Sequence, residues 1–354
     1  MAQSSVLVFN MGVFISTLFL LEFGADKIID HSAAVASRIG VSEVLVGLLT
    51  AGAEWEELAV VIASLAQGRS SIALGNVVGA SISNILGAFS LGLLCFNADE
   101  VEFERSERLY SLILLILTTL VAPIIYFPAP LTWRACGLIL TISFSIYFLV
   151  VALDVAKAVI QAQEGADSED SDPEDDDSVA GSDTELLSGN SSIRRDRERS
   201  LGYHATRLIF GFLAISLAGY VLSQATINII DQLGISDVLF SVVILAIATT
   251  LPEKFIASMS GYRGHFGIMV ASCAGSNIFL LSICCGIIMI QSNGHLDGGN
   301  VTLTELAVLW VSTAAFTTTI WFGVKYVRWI GAAMLVGYIA FIILEFTIIH
   351  RIVD

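Results

Sequence analysis

The string Ala248-Thr249-Thr250-Leu251-Pro252-Glu253 sets a proline and a carboxylate inside an apolar run long enough to cross a bilayer. Downstream lies Ala274-Gly275-Ser276-Asn277-Ile278. Charges at membrane depth are costly and rare, so Glu253 is a functional candidate by its position alone. Pro252 has no N–H to donate and crowds the carbonyl of Ala248, so the helix is predicted to break or loosen just before Glu253. In a bilayer such a break is tolerated only where protein or water surrounds it. A carboxylate beside freed carbonyls and two threonine hydroxyls makes a set of hard oxygen ligands. That set suits Na⁺, Ca²⁺ or Mg²⁺ rather than a soft metal.

The rest of the chain has to hold this string in a membrane. Of 354 residues, 55% are hydrophobic and only 14% charged, which is too apolar for a soluble domain. Ten spans are predicted, at about 5–24, 43–66, 71–95, 109–128, 133–155, 206–228, 236–260, 264–290, 302–322 and 327–349. The first apolar run, Val6 to Phe23, lacks a basic n-region and a cleavage site and reads as the first span. The longest hydrophilic break runs from Asp154 to Thr206. Between Glu164 and Asp177 it holds nine acidic residues and no basic one, so it supplies more than half of the net charge of −16. It closes on a basic cluster, Arg194 to Arg199, and its few apolar residues predict disorder. The chain therefore divides into five spans (1–155), a loop (156–205) and five spans (206–354).

Basic residues set the orientation. With the N-terminus outside or lumenal, thirteen Lys and Arg fall in cytoplasmic loops and only Arg69, Arg134 and Arg351 fall opposite, while Lys254 sits in a span. The positive-inside rule then makes the central loop cytoplasmic and both termini extracytoplasmic or lumenal. The plasma membrane and an internal membrane such as vacuole, Golgi or ER are equally compatible with this pattern.

The two halves echo each other. A shift of 196 residues lays Glu57 on Glu253, Ser64 on Ser260, Gly68 on Gly264, Ile72 on Ile268, Gly79 on Gly275 and Ile82 on Ile278. Upstream, Ile39 to Leu45 echoes Leu233 to Leu239 at a shift of 194. Five spans per half is an odd number, so the second half enters the membrane upside down. The fold expected is an all-α polytopic membrane protein of about ten transmembrane helices in two inverted five-helix repeats. Inverted repeats with interrupted helices in matching positions point to a secondary transporter with its site where the repeats meet.

With these strings in view, the chain resembles the cation/Ca²⁺ exchanger superfamily, the sodium/calcium exchangers and their relatives. The second repeat carries Thr249 to Glu253 and Gly275-Ser276-Asn277-Ile278-Phe279-Leu280. The first is looser, with Gly52-Ala53-Glu54-Trp55-Glu56-Glu57 and Gly79-Ala80-Ser81-Ile82-Ser83-Asn84. The resemblance implies that Thr249, Thr250, Glu253 and Ser276 contribute to ion sites, with Glu57 as the matching acid and Asn84 as an amide ligand. This chain has Leu280 where the family often closes the second repeat with an acid or amide, and Ala53, Glu54 and Glu56 where it has hydroxyls and proline. Those departures bear on ion identity more than on fold.

Two carboxylates neutralise one Ca²⁺, and one Na⁺ or H⁺ on each does the same without it. Such competition makes an exchanger, because an empty, doubly charged site is costly to carry across hydrocarbon. Glu54, three residues before Glu57, is expected on nearly the same helical face, supplying the acid missing at Leu280. Glu56 is expected to point elsewhere, and Trp55 equally fits a membrane-interface marker. Lys254 is expected on another side of the helix, snorkelling or pairing with an acid. Gly75, Gly79, Gly87 and Gly275 serve close helix packing in the plainer reading. Cys95, Cys136, Cys273, Cys284 and Cys285 read as buried small residues, and His31, His204, His295 and His350 as surface residues.

The leading reading is thus an antiporter exchanging Ca²⁺ for Na⁺ or H⁺ by alternating access, with no cofactor beyond the transported ions. An H⁺- or K⁺-coupled relative competes, as does a non-transporting sensor or scaffold on the same fold. No phosphate loop, nucleophile–base pair or zinc spacing marks an enzyme, and no nucleic-acid partner is expected. Besides the bilayer and the ions, the sequence offers Ser171 and Ser182, each with a Glu three residues on, to an acid-directed kinase. The Arg194 to Arg199 cluster suits anionic lipid.

Overall fold

Inside hydrocarbon every backbone polar group must be paired within its own segment, and the long apolar runs of this chain fold accordingly as helices. The computed structural model describes residues 2–38, 54–96, 100–101, 103, 105–166, 201–264, 266–322 and 324–349. The acidic and basic parts of the central loop, with Ser171, Ser182 and Arg194 to Arg199, lie outside these residues, as do Gly52, Ala53, His265 and His350.

The helices are α1 (Ala2–Arg38), α2 (Trp55–Ala66), α3 (Ser70–Ile82), α4 (Ser90–Cys95), α5 (Arg105–Tyr126), α6 (Pro130–Ala166) and α7 (Leu201–Leu233). They continue with α8 (Asp237–Leu239), α9 (Ala246–Thr249), α10 (Leu251–Arg263), α11 (Phe266–Phe279), α12 (Cys285–Ser292), α13 (Leu303–Phe322) and α14 (Val327–Leu344). The described residues otherwise hold one two-residue antiparallel ladder, β1 (Glu100–Val101) with β2 (Val324–Lys325). Eight of the described spans are long and apolar enough to cross a membrane, and the bent pair from Asp237 to Arg263 makes a ninth. The tenth expected span, 43–66, begins outside the described residues, and its visible part is α2.

Several expected spans are not plain α-helices. Seven residues of π-helix, Ser83–Phe89, join α3 to α4, and five, Leu280–Cys284, join α11 to α12. A 196-residue shift carries the first stretch onto the second, and the same shift carries Gly68 (φ 72°) onto Gly264 (φ 77°). Both glycines turn the chain between paired helices in the left-handed region, where a Cβ is strained. The repeat is therefore written in backbone geometry as well as in side chains.

Burial separates central spans from peripheral ones. The span Ser70–Cys95 is 89% buried and Phe266–Ser292 78%, against 11% for Pro130–Val150. The first two are therefore the core of the bundle, and the last shows its apolar side chains outward, as a lipid-facing helix does. The halves pack crosswise, α3 against the π-helical stretch Phe240–Leu245 and α4 against α10. Glycine makes this approach possible. A Cβ on Gly79 would lie 2.2 Å from the Val242 carbonyl oxygen, and one on Gly261 would lie 2.0 Å from that of Gly92.

Residues 1–22, 52–145 and 215–354 belong to one compact unit, and 23–51 and 146–214 to another. In the second, His31 and His204 are not surface residues: both are buried, with their Nδ1 atoms 3.2 Å apart. α1 and α7 continue as helix past the ends of their apolar runs, and His31 and His204 lie on these continuations. Cys273, Cys284 and Cys285 are buried, and Cys95 and Cys136 half-buried, as expected of small core residues.

Candidate functional site: a carboxylate cluster at two broken helices

Pro252 acts as its chemistry requires. The helix stops at Thr250 (φ −93°, ψ 19°), and α10 restarts at Leu251 with Pro252 in its first turn, bent 50° from the preceding segment. At that position the missing N–H would have had no intrahelical partner in any case. Glu253 consequently sits in the first turn of α10. In the other repeat Glu56 and Glu57 sit in the first turn of α2, and Glu54 is its cap residue. Each acid thus faces the positive end of a helix, worth about 0.3–1 kcal/mol apiece.

The carboxylates converge. Glu54, Glu56 and Glu253 can each place an oxygen within 4.8 Å of the others. Glu54 and Glu253 are buried and Glu56 half-buried. Glu56 therefore does not point elsewhere. The helical-wheel argument failed because Glu54 (φ −75°, ψ 74°) precedes the helix, so the cap and first turn of α2 do not follow helical spacing. Glu57 has no exposed surface, and it lies close to Glu253, to Glu54 and to the Thr249 side chain.

Buried polar atoms in folded proteins nearly always have a hydrogen-bond partner. Here both oxygens of Glu57, Oε2 of Glu253, Oγ1 of Thr249 and Oδ1 of Asn84 have none. Every one is an oxygen able to ligate a hard cation. Asn84 is held so that its oxygen is the free end: its Nδ2 donates to Asn277 Oδ1 at 3.2 Å, and Asn277 Nδ2 donates to the Ser81 carbonyl at 2.9 Å. Asn277 thus bridges the two repeats and sets the amide of Asn84. Ser276 is buried on the same helix, one residue before it. Leu280, in the place of the missing acid, is wholly buried and opens the second π-helical stretch.

Thr250 and Lys254 depart from expectation. Among the described residues Lys254 forms no ion pair with an acid: its Nζ donates to Ser83 Oγ at 2.8 Å, to the Thr250 carbonyl at 3.1 Å and to Thr250 Oγ1. The Thr250 hydroxyl is therefore engaged by an ammonium, unlike that of Thr249. The lysine reaches these groups because Thr250, the cap residue at the break, lies one turn before it. Sequence reasoning noted Lys254 as a charge in a span but missed its docking. It also missed Tyr338, whose hydroxyl donates to Ser83 Oγ at 2.9 Å from α14. It missed Asn76 as well, buried with neither amide atom partnered; a polar residue amid the apolar run of α3 was the available signal. Trp55 opens α2 half-buried, with its indole nitrogen covered.

Over residues 9–153, and again over 203–347, the chain matches the family described as sodium/calcium exchanger protein. It belongs to that family. The match falls once on each half, as an internally repeated exchanger requires. This exchanger-family chain is 26% identical over 283 residues to CaxA of Alkalimonas amylolytica, covering 79% of this chain and 80% of that one. It is 24% identical over 371 residues to the sodium/calcium exchanger MaX1 of Methanosarcina acetivorans, covering 96% and 99%. Among solved structures, the sodium-calcium exchanger NCX_Mj superposes with a TM-score of 0.57 at 19% identity, covering 95% of this chain and 99% of that one. At that identity the likeness speaks for the fold, an all-helical multi-pass membrane protein. The family is one of cation/Ca²⁺ antiporters, not enzymes.

Proposed function

We propose that this protein exchanges Ca²⁺ for Na⁺ across its membrane by alternating access. Glu57 and Glu253 are the principal Ca²⁺ ligands, with Glu54, Asn84, Thr249 and Ser276 completing an oxygen shell. The observation that carries this reading is the set of buried, unpartnered oxygens on Glu57, Glu253, Thr249 and Asn84. Left without a partner, the buried hydroxyl and amide oxygens cost about 1–3 kcal/mol each, and an ionised carboxylate costs more. A hard cation satisfies them together. MaX1 carries sodium/calcium exchange in its name, and we extend that to this chain on the strength of the site. The central loop faces the cytoplasm and both termini the opposite side, on the distribution of Lys and Arg.

One observation favours a second driver. Glu54, Glu56, Glu57 and Glu253 present more negative charge than one Ca²⁺ and Lys254 neutralise, and three of them lie within 4.8 Å of one another. Protons are the simplest further counter-charge, since each neutralises one carboxylate. H⁺ therefore competes with Na⁺ as the exchanged ion. Purified protein in sealed vesicles, given an imposed Na⁺, K⁺ or H⁺ gradient, decides between them by ⁴⁵Ca²⁺ uptake. Uptake driven by Na⁺ and abolished in Glu57→Gln and Glu253→Gln supports the first reading, and uptake driven only by H⁺ supports the second. Absence of uptake under every gradient overturns both.

A further inference from the structure

Lys254 lies next to the proposed Ca²⁺ site without touching its unpartnered oxygens. An ammonium has three N–H donors and no acceptor. Here three acceptors meet it: Ser83 Oγ, the Thr250 carbonyl and Thr250 Oγ1. The surrounding hydroxyls leave one consistent assignment. Thr250 Oγ1 donates to the Ala246 carbonyl at 2.6 Å, so its lone pairs face Lys254 and Ser83. Ser83 Oγ accepts from Lys254 and Tyr338 and sits 2.9 Å from Thr250 Oγ1, to which its own proton goes. The three ammonium donors, and every donor and lone pair of the Ser83 and Thr250 hydroxyls, are therefore used.

Removing the ammonium leaves two hydroxyl oxygens and one carbonyl oxygen aimed at one point, and all three are neutral. Neutral hard oxygens suit a singly charged hard cation, whereas Ca²⁺ draws on the carboxylates alongside. The surroundings are shaped for the lysine stem as well. A Cβ on Gly87 would lie 3.2 Å from Lys254 Cε and 3.4 Å from Tyr338 Cε1, so glycine there leaves the stem its room. The group joins both repeats, with Ser83 in the first and Thr250 and Lys254 in the second.

We propose that the Lys254 ammonium is a tethered cation. It fills a monovalent-cation position built by Ser83 and Thr250, so each molecule holds one fewer mobile monovalent cation than its oxygens could accommodate. The consequence for transport rests on the exchange reading above; the consequence for binding does not. A cation that cannot leave contributes its charge in every state of the cycle and is never exchanged.

The test is equilibrium binding of ²²Na⁺ to full-length protein in detergent, beside ⁴⁵Ca²⁺ flux in vesicles. Lys254→Met is expected to bind about one more Na⁺ per molecule than the unaltered protein. Wherever flux is driven by Na⁺, its Hill coefficient should also rise by about one. Ser83→Ala, which keeps the lysine, is expected to leave the Na⁺ count unchanged. A Lys254→Met protein that still binds ⁴⁵Ca²⁺ but gains no Na⁺ overturns the proposal, since the lysine is then only a structural brace. So does a Ser83→Ala protein that loses one Na⁺, and if Lys254→Met does not fold, Lys254→Ala is counted in its place with the same expected gain and the same overturning result. If Lys254→Met gains a Na⁺ while the unaltered protein shows no gradient-driven ⁴⁵Ca²⁺ flux, the tethered cation stands and the exchange reading falls.

Discussion

At the scale of single residues, the division of labour runs between groups with partners and groups without. Asn277 makes two hydrogen bonds that orient Asn84, whose oxygen is left free. Partners that orient a ligand typically matter by about 10–100-fold in metal affinity. Asn277→Ala is therefore expected to weaken half-maximal Ca²⁺ binding about tenfold with the fold retained, measured by ⁴⁵Ca²⁺ equilibrium binding. Unchanged affinity would remove Asn84 from the site. Glu54→Ala is expected to weaken Ca²⁺ binding to a similar degree, and full affinity there would leave the acid missing at Leu280 unreplaced. The string around Pro252 and Glu253 was legible because proline and charge are loud signals in an apolar run. Glu56 was misjudged because its direction was read from helical spacing at the start of a helix, where Glu54 is not yet helical.

At the scale of elements, the breaks place the acids. Pro252 in the first turn of α10 and the 50° bend at Thr250 put Glu253 in the first turn of the restarted helix. Pro252→Ala supplies an N–H and lifts the steric bar to an unbroken helix through Thr250. The expected result is a straighter span, a thermal midpoint held or raised, and Ca²⁺ flux lowered by about an order of magnitude, as a displacement near 1 Å in a working site allows. Flux equal to that of the unaltered protein would show that the break is not needed. Crosswise packing gives a companion prediction. Gly79→Ala forces a methyl to within 2.2 Å of the Val242 carbonyl and should lower the thermal midpoint, with overpacking of about 1–3 kcal/mol. Gly68→Ala meets open space and carries only the backbone strain of φ 72°, so the smaller loss is expected there. Spans and their pairing were readable from apolar runs and the 196-residue echo. The π-helical stretches were not, because an inserted residue in a buried helix changes hydrogen-bond register without changing composition.

At the scale of the whole molecule, the site makes stability depend on the ion. Four carboxyl groups from one cap and two first turns stand close together, and like charges at such range oppose one another. The ion-free protein bears that repulsion, while the Ca²⁺ complex turns it into ligation. A ligand bound only by the folded state adds about 2.7 kcal/mol at a hundredfold excess over its Kd. Ca²⁺ is therefore expected to raise the thermal midpoint of the detergent-purified protein in a concentration-dependent way. Glu253→Gln separates the two halves of this argument. It removes one repelling charge, so without Ca²⁺ the variant should melt above the unaltered protein. It also removes a ligand, so the Ca²⁺-dependent rise should vanish or shrink by most of its size. A variant that melts lower without Ca²⁺ yet keeps the full Ca²⁺-dependent rise would mean that Glu253 is a structural acid, held by its helix end, and that the cation is bound elsewhere. The opposite pair of outcomes ties the charge that destabilises the empty molecule to the charge that binds the ion.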